Sequence, residues 1–162
     1  MLLKNFQSCF AANGAPVKRM SGNSSNYTFG TTALSYSNGT CHYGGSGSNA
    51  CHIVIGAGDT APTWNDYDMA DASIMASDKM KSLNQTAVFD AGSGGTVTVQ
   101  WKNNSSSPIT VKEVGLAFKN GSAAYSKDTN YIVARKVLPT PVTIQPDEVY
   151  AFTYRVSVKA SS

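Results

Sequence analysis

Two Cys-His dipeptides are the residues of this sequence best suited to binding a metal ion. Cys41-His42 and Cys51-His52 flank the glycine-rich stretch 43–50. Zinc takes four nitrogen and sulfur ligands, but adjacent strand residues point to opposite faces, so two dipeptides on strands do not direct four ligands to one side. With Cys9 the cysteine count is three, which excludes a complete disulfide framework. We expect Cys41 and Cys51 to be packed thiols, with one disulfide between them, then a metal site, as the weaker alternatives.

The segment 56–71 partly matches two other motifs, one that binds calcium and one that binds dinucleotides. Asp66, Asp68 and Asp71 could supply oxygen ligands to calcium, but an EF-hand counted from Asp66 needs a glycine and a glutamate where Asp71 and Ser77 stand. The aspartates are therefore expected to bond local amides in turns. Gly56-Ala57-Gly58 opens a match to the dinucleotide fingerprint, which requires a helix after it. The residues that follow, PTWNDYD, have no helical periodicity, so no cofactor is predicted.

Residues for acid–base catalysis are few. His42 and His52 have no orienting carboxylate close in sequence, and each of the only two glutamates, Glu113 and Glu148, lies beside an apolar run. Arg135 stands inside an apolar strand, where a charge requires a partner. We expect it to pair with one of these glutamates in the same chain, or alternatively with a neighbouring subunit. No catalytic residue is assigned, and the chain is not expected to be an enzyme.

Composition excludes several classes of partner. The 162 residues carry 13 basic and 10 acidic side chains, a net charge of +3, without the clustered basic stripe that nucleic acids require. No run of 18 apolar residues is present, and polar residues interrupt MLLKNFQSCF too early for a signal peptide. Neither a nucleic-acid nor a membrane partner is expected.

Alternating apolar and polar residues from Thr96 to Val158 predict an all-β fold, an antiparallel β-sandwich of jelly-roll or immunoglobulin-like type. One face of TVTVQW carries Val97, Val99 and Trp101, and the last strand buries alternate residues from Tyr150. Apolar parity switches between Val111 and Val114, which predicts a β-bulge near Lys112-Glu113.

The remaining elements are expected around that body. Residues 131–138 are apolar on both faces, which suggests a central strand, and the two prolines that follow require an edge or a crossing to the other sheet. Residues 69–83 allow at most one short helix. We expect a loop-rich N-terminal segment over 1–50, suited to an assembly arm, and a sandwich body over 51–162, together forming one continuous domain.

Three motifs carry a family resemblance. The segments GAGDTAPTWNDYD, KEVGLAF and VARKV occur in the order found in a group of small virion structural proteins from tailed bacteriophages, which this chain resembles over about residues 52–158. The positions that carry it include Gly56, Gly58, Asp66, Tyr67, Glu113, Gly115 and Arg135. The chain departs from the group after Asp66-Tyr67, where it has Asp68-Met69-Ala70-Asp71.

The resemblance implies a non-enzymatic particle component in the virion, assembled in the bacterial cytoplasm. Its place in the virion stays open between capsid decoration, head fibre and tail. The expected partners are other copies of the chain, in a homo-oligomer expected to be a trimer, and other virion proteins. A second hypothesis is a receptor- or glycan-binding module at a fibre tip, since Tyr43, Trp64 and Tyr67 stand in expected loops where exposed rings could stack on sugars.

Overall fold

The structure, a computed structural model, describes residues 1, 16–18, 24–26, 36–37, 40–41, 50–76, 78–90, 94–119 and 130–157. Side chains are placed for residue 1 and for most described residues from 52 to 155. The described residues form ten strands in chain order: β1 Pro16–Lys18, β2 Ser24–Asn26, β3 Tyr36–Ser37, β4 Thr40–Cys41, β5 Ala50–Gly56, β6 Met80–Asp90, β7 Gly94–Asn103, β8 Ile109–Lys119, β9 Asn130–Ile144 and β10 Val149–Ser157.

Two antiparallel sheets pack face to face, so the predicted β-sandwich is confirmed. One sheet has the order β5-β8-β9, and the other has the long strands β10-β7-β6, extended beyond β6 by the short strands β4 and β3. A separate two-stranded pair joins β1 and β2. The chain crosses between the sheets after β4, β5, β7 and β9, and it stays within one sheet at the β3–β4, β6–β7 and β8–β9 connections.

The core lies between the sheets, and β7 follows the predicted alternation. Val97, Val99 and Trp101 are at most 2% exposed and lie beside Phe152 of β10 on the core face of the same sheet. The expectation that Tyr150 is buried is wrong: it stands at the start of β10 and is 37% exposed. Residues 53–55 of β5 are fully buried on both faces, as are residues 132–134 of β9. The Trp101 indole Nε1 donates to the Ile53 carbonyl at 3.3 Å, a hydrogen bond that joins the two sheets directly.

The predicted register change near Lys112-Glu113 is confirmed, but the surplus residues lie on the opposite strand. Val111 pairs with Val142 and Glu113 pairs with Val137, so residues 138–141 of β9 stand against one residue of β8. Both prolines of β9 fall in this stretch, where a missing backbone N–H breaks no ladder hydrogen bond.

Among the described strands β9 is an edge of its sheet, so the expectation that residues 131–138 form a central strand is wrong. Its two buried faces are explained by the core on one side and, on the other, by the loop 57–72 that covers Arg135.

The ambiguous stretch 69–83 contains only one turn of 3-10 helix, at Ser73–Met75. Met80 and Leu83 belong instead to β6, a strand that the sequence did not predict. Its pairing with β7 shifts register between Ser82 and Gln85, and this irregularity removes the alternation that would have revealed it. The expected division into residues 1–50 and 51–162 stays a prediction.

Candidate functional site

The most distinctive site in the described part of the chain is a buried ion network centred on Arg135. β9 places this arginine opposite Gly115 of β8, and its side chain is 3% exposed. Its Nη1 donates to Glu113 Oε2 at 2.6 Å and to the Thr60 carbonyl at 3.1 Å. The predicted pairing of Arg135 with a glutamate of the same chain is therefore confirmed for Glu113. Glu148 instead accepts a hydrogen bond from the Gln145 amide in the turn before β10.

A second carboxylate, on Asp66, completes the network from the loop 57–72. Its Oδ2 accepts hydrogen bonds from Arg135 Nη2 at 2.5 Å and from Nε at 3.2 Å. The same carboxylate accepts from the Thr63 amide at 2.9 Å and from the Thr63 hydroxyl at 2.6 Å, while the Asp66 amide donates to the Thr63 carbonyl at 3.2 Å. Asp66 thus closes the turn 63–66 and ties that turn to the sandwich.

Glu113 is fully buried and both of its oxygens are occupied. Oε2 receives Arg135, and Oε1 accepts the Asp71 amide at 2.9 Å. The loop therefore has two anchors on the sheet: Asp66 at Arg135, and the Asp71 backbone at Glu113. Both hydrogen bonds join Glu113 to the protein itself, so this carboxylate holds the loop and β9 together.

The three glycines of the resembling motifs are the positions where the backbone passes close to this network. A Cβ on Gly58 would lie 2.8 Å from Glu113 Oε1 and 2.5 Å from the Cβ of Ala70. One on Gly56 would lie 2.7 Å from Glu113 Cγ, and one on Gly115 would lie 2.9 Å from the Met69 sulfur. These separations are too short for any side chain, so the spacing of the glycines follows from the packing of the loop onto β8.

Electrostatics favours the charged forms of Asp66 and Arg135. Burial opposes ionisation of Asp66, but the hydrogen bonds from Thr63 and Arg135 outweigh it, and the pKa of this carboxyl lies below its ordinary value. Burial likewise opposes the charge on Arg135, yet the hydrogen bonds to Asp66 and Glu113 raise the pKa of the guanidinium. One cation between two carboxylates is the arrangement that a buried charge requires.

A second polar cluster, around Asn103, was not predicted. This side chain is fully buried at the end of β7, and its Nδ2 donates to the carbonyls of Ile144 and Ser107, each at 2.9 Å. Its Oδ1 accepts the Ser105 amide at 2.9 Å and hydroxyl at 2.7 Å. The Asn103 backbone bonds Asp147 and Glu148. Because asparagine in NNSSSP resembles an ordinary loop residue, only its position at the end of an alternating strand could have drawn attention to it.

The other predicted site residues are distributed as follows. Trp64 is 47% exposed at the turn closed by Asp66, whereas Tyr67 is half-buried. Tyr43 lies outside the described residues. So do the side chains of Cys41 and Cys51, although their backbones lie in strands of different sheets, β4 and β5, that do not pair with each other. A disulfide between them stays a prediction.

The aspartates act in turns, as predicted. Asp68 Oδ1 accepts the Met69 amide at 2.7 Å, and Asp71 Oδ1 accepts the Ser73 amide at 2.9 Å. Within the described ranges no group of three or more histidine, cysteine or acidic side chains is arranged to hold a metal ion. The same residues include no helix long and apolar enough to span a membrane.

Comparison with known proteins gives no match to a family model, to a curated protein or to a solved structure.

Proposed function

We propose that this chain is a non-enzymatic structural protein of a tailed-bacteriophage virion, which assembles with copies of itself and with other virion proteins. The observation that supports this proposal most strongly is that the three motifs that resemble this group meet at one place in the fold. Gly58 and Asp66 from the first motif, Glu113 from the second and Arg135 from the third meet in one buried network. Motifs that build a shared structural core, rather than an open cleft, favour a scaffold role.

The burial and pairing of the charged groups support the same role. Glu113 and Arg135 are 0% and 2% exposed, and their hydrogen bonds serve to fix the loop 57–72 onto the sheet. A long loop clamped at two points presents a rigid surface, which suits a subunit that must repeat the same contact many times in a particle. The subunit would be made in the bacterial cytoplasm and function on the capsid surface, in a head fibre or in the tail.

Self-association is the first property to test. Light scattering of the purified protein over a concentration series should give the mass of a defined homo-oligomer, for which a trimer is the expectation. Mass spectrometry of purified particles of the phage that carries the gene should then detect the protein in stoichiometric amounts. A monomer at every concentration, together with absence from the particles, would contradict the proposal.

A receptor- or glycan-binding role is the second candidate, and the exposure of Trp64 favours it. The turn 63–66 carries this indole at the surface, and Asp66 anchors the turn to Arg135, so the backbone that presents the ring is fixed. Such a ring can stack on a sugar face. Binding on a glycan array that Trp64→Ala abolishes would support this role, and an array without signal for the wild-type protein would count against it.

A further inference from the structure

Strand β10 is a long sheet edge that lacks the usual protection. Among the described strands it pairs only with β7, and all nine of its residues do so without a register shift. Natural sheets protect such edges with lysines, prolines, bulges or very short strands. β10 contains neither lysine nor proline, and Arg155 is its one charge. Its first residues, Val149 and Tyr150, are 44% and 37% exposed.

One of the two edge strands of the other sheet, β9, shows a contrast with β10. β9 carries Pro139 and Pro141 and has two register irregularities. The backbone of Met1 also lies against it: the Met1 amine donates to the Arg135 carbonyl at 2.8 Å, and the Arg135 amide donates to the Met1 carbonyl at 3.1 Å. β9 is therefore an interrupted and partly covered edge, whereas β10 is regular and exposed.

We propose that β10 is a self-association surface, which pairs antiparallel with β10 of a second copy of this chain across a two-fold axis centred on Ala151. This inference rests on the self-assembly in the proposed function and names the surface that performs it. The paired edges would join two sheets into one continuous sheet, so that backbone groups left open at both edges are satisfied together.

Charge and side-chain chemistry favour this register. A two-fold axis through the edge places the same residue of both copies on the same face, so only residues of equal parity can stand opposite each other. With the axis at Ala151, Arg155 comes beside the turn that holds Asp147 of the second copy. Asp147 is 85% exposed and pairs with Lys102 at 2.7 Å, which leaves its carboxylate accessible to a second cation. An axis at Arg155 would instead oppose two like charges.

The apolar residues agree with the same register. On the core face, Phe152 comes opposite Tyr150 of the second copy, and these two side chains already pack within one chain with ring centroids 4.9 Å apart. On the outer face, Val149 comes opposite Thr153, while Ala151 meets Ala151. Aromatic pairs and β-branched pairs of this kind stabilise neighbouring strands. The strand is thus complementary to itself when it is reversed.

The first experiment measures molar mass by light scattering for the wild-type protein and two lysine variants. Ala151→Lys sets like charges directly opposite at the axis, and we expect the dissociation constant to rise roughly tenfold or more. Thr86→Lys adds the same charge to the exposed outer face of β6, away from the edge, and should leave the mass unchanged. This contact requires an even number of chains, two from β10 pairing alone or six if it joins two of the expected trimers, so a stable wild-type trimer would overturn it.

The second experiment exchanges charges. Arg155→Asp and Asp147→Arg should each weaken association roughly tenfold, because each places like charges at both ends of the paired strands. An equimolar mixture restores both ion pairs in the heterodimer, and it should recover the wild-type dissociation constant. This readout does not depend on how well Ala151→Lys folds.

The outcomes separate this contact from the proposed function. An assembled wild-type protein whose mass is insensitive to Ala151→Lys, with no recovery in the mixture, would overturn the β10 contact and leave self-assembly through another surface intact. A wild-type monomer at all concentrations would overturn the contact and remove the basis of the proposed self-assembly as well. Loss of assembly in Ala151→Lys but not in Thr86→Lys is the supporting result.

Discussion

At the scale of single residues, Arg135 is the group whose loss should damage the molecule most. Replacement by methionine keeps much of the side-chain volume but leaves Glu113 fully buried without its cation and Asp66 without its anchor. We expect Arg135→Met to lower the free energy of unfolding by about 3–5 kcal/mol, the typical cost of a broken buried ion pair.

Urea denaturation at neutral pH measures this change, and Arg155→Met is the matched control. Arg155 lies exposed on the outer face of β10, so the same substitution there should change the free energy of unfolding by less than about 0.5 kcal/mol. The comparison is made at a concentration low enough to keep any oligomer dissociated. Equal effects at the two arginines would show that the network contributes no more than a surface charge.

Asp66 makes the same network sensitive to acid. The pKa of its carboxyl is lower in the folded protein than the ordinary value of 3.8, because hydrogen bonds from Thr63 and Arg135 outweigh the cost of burial. The stability that Asp66 contributes is therefore complete above that ordinary value and is lost as pH falls through the folded pKa. Asp66→Asn should lower stability at pH 7 and flatten the decline of stability with acid.

Urea midpoints recorded from pH 6 down to pH 2 test this prediction. The decline should be reduced but not removed in Asp66→Asn, because the hydrogen bond and charge of Lys112 also lower the pKa of Asp59, and Lys102 acts likewise on Asp147. Parallel curves for the wild-type protein and Asp66→Asn would mean that this carboxyl does not couple to folding.

At the scale of elements, Asn103 governs the corner where the chain changes sheets twice. Its side chain and backbone bond the loop between β7 and β8 and the turn between β9 and β10. Asn103→Ala leaves the buried Ile144 carbonyl and the groups of Ser105 without these partners. We expect a loss of about 2–4 kcal/mol in the free energy of unfolding, from two or more unsatisfied polar groups.

The neighbouring residue provides the control for that corner. Asn104 has an exposed side chain, so Asn104→Ala should change stability by less than about 0.5 kcal/mol. Hydrogen exchange of the Ser105 amide, which donates to Asn103 Oδ1, should accelerate in Asn103→Ala and not in Asn104→Ala. Unchanged exchange in both variants would contradict a structural role for Asn103.

These elements also show what the sequence could reveal. β7 and β10 were predictable because one face of each is buried and alternation survives in TVTVQW and in the last strand. β6 was missed because its register shift breaks the alternation and Leu83 is 42% exposed. The sequence of β9 predicts a central strand because local sequence carries no information about the loop that covers its outer face.

The sequence likewise predicted only part of the candidate site. The pairing of Arg135 with a glutamate of the same chain followed from a charge inside an apolar strand, which must meet a partner when buried, but the sequence left the choice between Glu113 and Glu148 open. The sequence did not predict that Asp66 and Asn103 belong to buried polar networks, because aspartate and asparagine are common in turns. Only the tertiary fold brings these two side chains against buried groups. Sequence pattern therefore reports burial along a strand much better than it reports contacts between distant segments.

At the scale of the whole molecule, Trp101 decides whether the two sheets form one cooperative unit. Its ring is 2% exposed in the core between the sheets, and its indole nitrogen donates to the carbonyl of Ile53 on the facing sheet. Trp101→Phe removes this hydrogen bond and leaves a cavity where the larger ring packed. We expect the free energy of unfolding to fall by about 1–3 kcal/mol, with both sheets still unfolding together.

The two tryptophans of the chain make this testable within one design. Trp64 is 47% exposed and Trp101 is buried, so Trp64→Phe should leave stability within about 0.5 kcal/mol while isolating the fluorescence of Trp101. In that background, the denaturation curve from Trp101 fluorescence should coincide with the curve from circular dichroism, as two-state unfolding requires. If the fluorescence transition came first, the sheets would separate before their strands melt. The single hydrogen bond from Trp101 to Ile53, together with the shared core, would then be too weak to couple the two layers into one folding unit.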